Sequence, residues 1–335
     1  MVCNLICITS IFIYLLSFVG LIGNLTVLFA FISNAIRHKV LQPLDRIIVN
    51  MALVNFFLCC YKTIPGLLTL SINKVFSELG CRILLYTYHT LRLISIWSVE
   101  NLSFLHLIKI RRPNHRWSKF IYRHQGQYVN GTLAGCWVCS ILLQIPYMQY
   151  EKTVGKSNNT IAFLAISTCL RYTGSFIIMF TTYVSVCLDF VFIILVIVLN
   201  GFIIDLLYKH SRKVKATTSI ASSGWNKHTA QATKVLLSLL SIYVVCWISN
   251  DVAWIAVVSG YIKSNFENDV LYALYGILSS IYYSASSYVV LFGYRKVREY
   301  LLEACWCLRC ARPTTVQSMS QEEAPQRQTS DTQDR

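Results

Sequence analysis

Long apolar runs separated by short polar connectors, most of them basic, set the pattern of this chain. A helix needs roughly 20 mostly apolar residues to cross the hydrocarbon core of a bilayer. Seven stretches reach that length, at about residues 5 to 32, 44 to 70, 83 to 108, 128 to 148, 175 to 207, 231 to 259 and 269 to 293. In lipid every backbone N–H and C=O has to be satisfied within the segment itself, so each run reads as a helix. The expected fold is therefore all-α, a seven-transmembrane helix bundle. The first run is too long for a signal peptide, no basic residue precedes it and no small-residue cleavage site follows, so it reads as a retained helix.

Composition narrows the class. Of 335 residues 55% are hydrophobic and 13% charged, the reverse of a water-facing surface, which excludes a soluble enzyme. Only 6 Pro and 14 Gly exclude collagen and wholesale disorder. The net charge of +15 would suggest nucleic acid in a soluble protein, but here the basic residues sit in connectors, where they set topology. Lys109, Arg111, Arg112, Arg116, Lys119 and Arg123 fall between the third and fourth runs; Lys209, Arg212, Lys213, Lys215 and Lys227 follow the fifth; Arg37, Lys39 and Arg46 follow the first. Those connectors are cytosolic by the positive-inside rule. The alternate connectors mix Lys74 with Glu78, Lys152 with Glu151, and Lys263 with Glu267 and Asp269. Residues 1–4 then form a short outer terminus, 5–293 the membrane domain, 294–311 a juxtamembrane segment and 312–335 a Gln-, Ser-, Thr- and Glu-rich disordered tail.

Four sequons occur. Asn24 and Asn101 fall inside runs, Asn130 lies at the cytosolic start of the fourth, and only Asn158 lies in a long outer connector, so it alone is expected to carry sugar. Beyond Tyr294, Val297, Leu301 and Leu302 alternate with Arg295, Lys296, Arg298 and Glu299 as in an amphipathic helix on the inner leaflet. Cys305, Cys307 and Cys310 follow it as palmitoylation candidates or plain reduced thiols. No metal-ligand spacing is present, and Cys59, Cys60, Cys136, Cys139, Cys187 and Cys246 read as packing residues.

Seven helices with basic inner loops describe a G-protein-coupled receptor only by architecture, and local residues have to carry more. Gly23-Asn24, Trp137, Cys81 at the outer start of the third run and Cys169 in the following outer loop look like the rhodopsin-like plan. Its hallmarks are partly missing: Asn55 stands where that plan carries Asp, Leu105-His106-Leu107 replaces Asp-Arg-Tyr, and Ser284-Ala285-Ser286-Ser287-Tyr288 replaces Asn-Pro-x-x-Tyr. The last run lacks Lys, which excludes a retinal Schiff base. The segment Leu102 to Ile110, then Pro113 to Trp117 and Lys119, resembles the inner end of helix three and the second inner loop of vomeronasal type-1 pheromone receptors. Asp189 with Tyr208-Lys209-His210 and Val214 is similar to that family's fifth helix and its exit; Ala232-Thr233 is similar to its start of helix six; Arg92 before Ser95-Ile96 also fits. The match runs over roughly residues 15 to 300, and Ser287, Glu100 and Asn250-Asp251 place it nearer the fish olfactory receptors related to class A.

The resemblance implies a chemosensory receptor for a small-molecule pheromone or odorant, without cofactor, in the plasma membrane of a sensory neuron with its amino terminus outside. It implies a disulfide between Cys81 and Cys169 and an inhibitory-class heterotrimeric G protein, met at His106, Arg111, Arg112, Lys209, Arg212 and Lys213. Membrane lipids are the other partner, and nucleic acid is not one. A bitter-taste-type receptor is the alternative. A transporter or channel is the rival class, against which stand seven spans without repeated halves and Pro65 and Pro146 only near outer helix ends. No Gly-rich phosphate loop, His-Glu-x-x-His or Gly-x-Ser-x-Gly points to an enzyme.

An ionisable side chain at the middle of a membrane helix costs about 2.5 to 3.5 kcal/mol on insertion scales, so it faces the interior of the bundle. Tyr88, His89, Arg92, Ser95 and Ile96 recur at three-and-four spacing and share a face. Arg92 either contacts a ligand's carboxylate, sulfate or other polar oxygen or forms an interior salt bridge with Asp189 or Asp251; His89 is a ligand contact or a packed ring. Asp251 with Trp254, and Tyr282 with Tyr283, are further pocket candidates against a plain core role. Glu100 reads as a partner of Asn55 or Asn101.

Overall fold

The computed structural model describes residues 2–38, 41–72, 78–110, 116–149, 176–216, 238, 241–252, 255 and 265–310. They are helical almost throughout. The helices are α1 (Val2–His38), α2 (Pro43–Ile72), α3 (Glu78–Ile110), α4 (Arg116–Arg123), α5 (Gln125–Leu143), α6 (Phe176–Ala216), α7 (Asn265–Gly293) and α8 (Arg295–Cys310). A further helical stretch covers 241–252. Segments Ile11–Arg37, Pro43–Thr63, Arg82–Ile110 and Met179–Leu206 are long and apolar enough to cross a membrane.

Three elements depart from the run boundaries. The fourth run was expected to continue to about residue 148, but α5 stops at Leu143 and the chain tightens into a 3₁₀ turn, Ile145–Gln149. Pro146 supplies the reason: it has no N–H to donate and its ring crowds the carbonyl four residues back, so Tyr147 N–H bonds to Gln144 O at 3.0 Å instead. α6 runs beyond the apolar stretch to Ala216, and there Lys209 pairs with Asp205 one turn earlier at 2.7 Å. The inner connector after α3 contains the short helix α4, in which Trp117, Phe120 and Ile121 recur at helical spacing among Arg116, Lys119 and Arg123.

α3 is the hub, packed on α2, α5 and α6, while α1 lies against α2, α7 and α8. Lipid tails are as apolar as Leu, so helices in a membrane associate through close packing and polar contacts, which favours small residues at the seam. The α1–α7 seam is built that way. Ser17 and Ser280 hydroxyls meet at 3.2 Å, Ser284 donates to Leu16 O, Tyr288 donates to Val19 O at 3.3 Å, and Asn24 Nδ2 donates to Tyr283 O at 3.0 Å. A methyl group at Gly20 would lie 2.7 Å from Ser284 Oγ and 2.9 Å from Cys59 Sγ, so only glycine permits this approach. On the outside, Ile11, Phe12, Leu15, Phe18, Ile22, Leu25 and Phe29 of α1 and Ile194, Leu195, Ile197, Val198 and Phe202 of α6 are exposed, a band that suits acyl chains.

α8 turns off α7 at Tyr294 and lies back on α1, where Phe31 and Tyr300 meet edge to face with centroids 5.8 Å apart. Val297 and Ala304 are buried and Leu302 is exposed. Burial pushes the Tyr294 hydroxyl up to about 12, so the phenol keeps its proton.

Candidate functional site

Arg92 of α3 faces two acids from different helices. Its Nη2 lies 2.7 Å from Asp189 Oδ2 of α6 and also pairs with Asp251 Oδ1 of the 241–252 stretch. All three side chains are 3% or less exposed, which places two negative charges and one positive charge in a dry setting. The guanidinium also lies over the Trp247 ring, 4.8 Å from its centroid. The interior salt bridge, one of the two readings of Arg92, is thus present with both named acids, and one cation ties three helices together.

Beneath it, a hydrogen-bonded layer links α2, α3 and α7. Ser95 Oγ donates to Asn55 Oδ1 at 3.0 Å, Asn55 Nδ2 donates to Ser286 Oγ at 3.0 Å, and Tyr282 Oη stands 3.5 Å from Ser95 Oγ. Asn55 makes these contacts with Ser95 and Ser286, and Asn101 Nδ2 bonds to Trp97 O at 2.9 Å. The expected partnership of Glu100 with either is therefore corrected: Glu100 acts electrostatically on Tyr128 and Cys136 of α5. The α-helical turn explains it, since Glu100 is five residues past Ser95 and so points to a different face.

On the outer side His89 stacks on Tyr147 with centroids 4.3 Å apart and planes 8° from parallel, while Tyr88 meets it edge to face at 5.4 Å. Tyr147 shares a 2.9 Å hydrogen bond with Thr182, so the 3₁₀ turn brought by Pro146 delivers this ring to the cluster. Trp247, Tyr243, Tyr282 and Tyr283 form a contiguous aromatic group against Arg92, Trp247 and Tyr282 being 5.5 Å apart. Ile96 is fully buried nearby.

Sequence reasoning passed over Lys62. It is buried in α2, donates to Gly276 O at 3.0 Å and to Ser279 Oγ of α7, and lies 5.7 Å from the Tyr283 ring centroid. The signal was a lone Lys within the second apolar run, subject to the same cost that drew attention to Arg92. Among the inner-face residues, His106 is partly buried at the end of α3, and Lys209 is exposed and paired with Asp205. Trp254, Cys169, Asn158, Arg111 and Arg112 lie outside the described residues. The backbone places Cys81 in the first turn of α3, Arg212 and Lys213 in α6, and Cys305, Cys307 and Cys310 in α8; their side chains lie outside the described set.

Membrane-length helices, a hub helix carrying a buried ionic cluster and a final helix lying across the base define a helical bundle of the G-protein-coupled receptor type. Comparison with known proteins makes this specific. Residues 7–302 match the model of the vomeronasal organ pheromone receptor family. Olfactory receptor class A-like protein 4 of Danio rerio is 25% identical over 312 residues, 87% of this chain and 88% of that protein. Vomeronasal type-1 receptor 3 of Homo sapiens is 23% identical over 67% of this chain and 74% of its own length, and taste receptor type 2 member 13 of Pan troglodytes is 22% identical over 84% and 91%. The chain belongs to the vomeronasal organ pheromone receptor family. It is a chemosensory G-protein-coupled receptor and a multi-pass membrane protein.

Proposed function

We propose that this receptor stands in the plasma membrane with its amino terminus outside and takes a small pheromone or odorant into the outer half of the bundle. Tyr88, His89, Arg92, Ser95, Asp251, Trp254 and Tyr282 are the contact residues of this reading. The observation that carries it is the Arg92–Asp189–Asp251 cluster, because a group that contacts it acts on α3, α6 and the 241–252 stretch at once. A ligand that favours one arrangement of these helices shifts the population toward it in proportion to its differential affinity.

The inner face passes that shift to a heterotrimeric G protein of the inhibitory class through His106, Arg111, Arg112, Lys209, Arg212 and Lys213. Helix three lacks the usual Arg at its inner end, so His106 holds the corresponding place. A Cys81–Cys169 disulfide anchors the outer loop, Asn158 carries the sugar, and Cys305, Cys307 and Cys310 carry palmitate.

The test is expression in cells bearing a G-protein reporter, with inhibitory-class and stimulatory-class α subunits supplied separately, and a screen of fractionated chemosensory stimuli. A response confined to the inhibitory-class subunit is expected. Ion or solute flux without any G-protein response would replace the receptor reading with a transporter or channel.

A further inference from the structure

At the centre of the bundle, two carboxyl groups face one guanidinium. Asp189 and Asp251 are each essentially inaccessible to solvent, and the charged groups acting on them are Arg92 and each other. Lys62, the other buried cation among the described residues, is held by Gly276 O and Ser279 of α7. One guanidinium between two ionised carboxylates leaves one negative charge in a medium where an uncompensated ion is costly.

A second, independent observation concerns hydrogen bonding. Asp189 Oδ1 and Asp251 Oδ2 have no hydrogen-bond partner among the described residues, nor has the hydroxyl of the fully buried Tyr243, whose ring lies 6.2 Å from that of Trp247, the ring that Arg92 covers. Asn250, also buried, has neither its Oδ1 nor its Nδ2 engaged there. Tyr243, Trp247, Asn250 and Asp251 fall at helical positions i, i+4, i+7 and i+8, which turns them to one side of their helix. Buried polar atoms are normally bonded to protein, water or a ligand, so a group of orphans around one excess charge marks a binding position.

We infer that Asp189, Asp251 and Tyr243 form a site for a monovalent cationic group, either a bare alkali ion or the ammonium of a ligand. This deepens the receptor reading above and reverses the polarity that Arg92 alone would suggest. Carboxylate and hydroxyl oxygens suit either source, while Arg92, already shared between two acids, has no surplus charge to offer an anion.

The full-length receptor, purified in detergent, is unfolded by heat at constant ionic strength in sodium, potassium or choline chloride, and separately with hexylammonium, hexanol or hexanoate. Sodium or hexylammonium is expected to raise the midpoint by roughly 2–4 °C relative to choline, with hexanol and hexanoate giving no shift. A sodium shift alone identifies an ion site; a hexylammonium shift accompanied by a reporter response identifies a ligand ammonium. Asp251→Asn removes the excess charge while leaving Arg92 paired with Asp189, and should abolish the shift; Asp189→Asn serves the same purpose if Asp251→Asn does not fold. The inference is overturned if neither cation shifts the wild type, if hexanoate or hexanol shifts it equally, or if a folded Asp→Asn variant keeps the shift. A chain that signals to other stimuli without any cation shift defeats this inference alone, whereas a cation shift with no G-protein activation by any stimulus defeats the receptor reading alone.

Discussion

Replacing Arg92 by Met keeps most of the volume and removes the charge, so it isolates the electrostatic role of the cluster. With charge centres roughly 4 Å apart and an effective dielectric of about 20, each Arg–Asp attraction is worth about 4 kcal/mol before desolvation is counted. Part of that is recovered, because a guanidinium no longer has to be kept out of water. What remains is two carboxylates, 2% and 0% exposed, with no counter-charge between them. Removing one partner of a buried pair costs about 3–5 kcal/mol, and a second acid in the cluster places Arg92→Met at the upper end. Taking 1 kcal/mol as about 2–4 °C, the thermal midpoint of the purified receptor should fall by roughly 10–20 °C, and surface expression should fall with it. The triple replacement Arg92→Met, Asp189→Asn, Asp251→Asn removes all three charges and should recover most of the stability without recovering the ligand response. Arg92→Met at normal surface level with an unchanged midpoint would refute the reasoning, because the acids would then not need the cation.

At the α1–α7 seam, Gly20→Leu should lower stability by about 1–3 kcal/mol, the usual cost of overpacking, since even a methyl there meets Ser284 and Cys59; a thermal midpoint equal to wild type would mean that the two helices separate freely. Asn55→Val should uncouple α2 from Ser95 and Ser286 and lower the stability by about 1–3 kcal/mol for the buried Ser95 hydroxyl that loses its acceptor, measured on the same detergent preparation. A glycosidase-sensitive shift in gel mobility should disappear in Asn158→Gln, and its persistence would overturn the assigned orientation. Cys81→Ser and Cys169→Ser should each reduce surface labelling; normal labelling and response in both would show that the outer disulfide is dispensable.

The length of the apolar runs and the placement of Lys and Arg between them determine the class of this protein without reference to its structure, because hydrocarbon admits only segments that satisfy their own backbone and because basic connectors resist translocation. The same cost argument marks Arg92, Asp189 and Asp251 from the sequence alone, and it applies equally to Lys62 in the second run. Which acid Arg92 meets was beyond a linear reading. It meets both, because α6 and the 241–252 stretch approach α3 at the same depth, and helix packing rather than residue spacing sets depth. Glu100 misses Asn55 and Asn101 for the related reason that proximity along the chain says little about which face of a helix looks at which partner. The 3₁₀ turn at Pro146 was visible as a proline, but its consequence, the delivery of Tyr147 onto His89, exists only in three dimensions. So does the meeting of two aspartates with one arginine: residue counts weigh the whole chain as strongly basic, and only the packing of α3, α6 and the 241–252 stretch brings two acids onto one guanidinium in a volume closed to water.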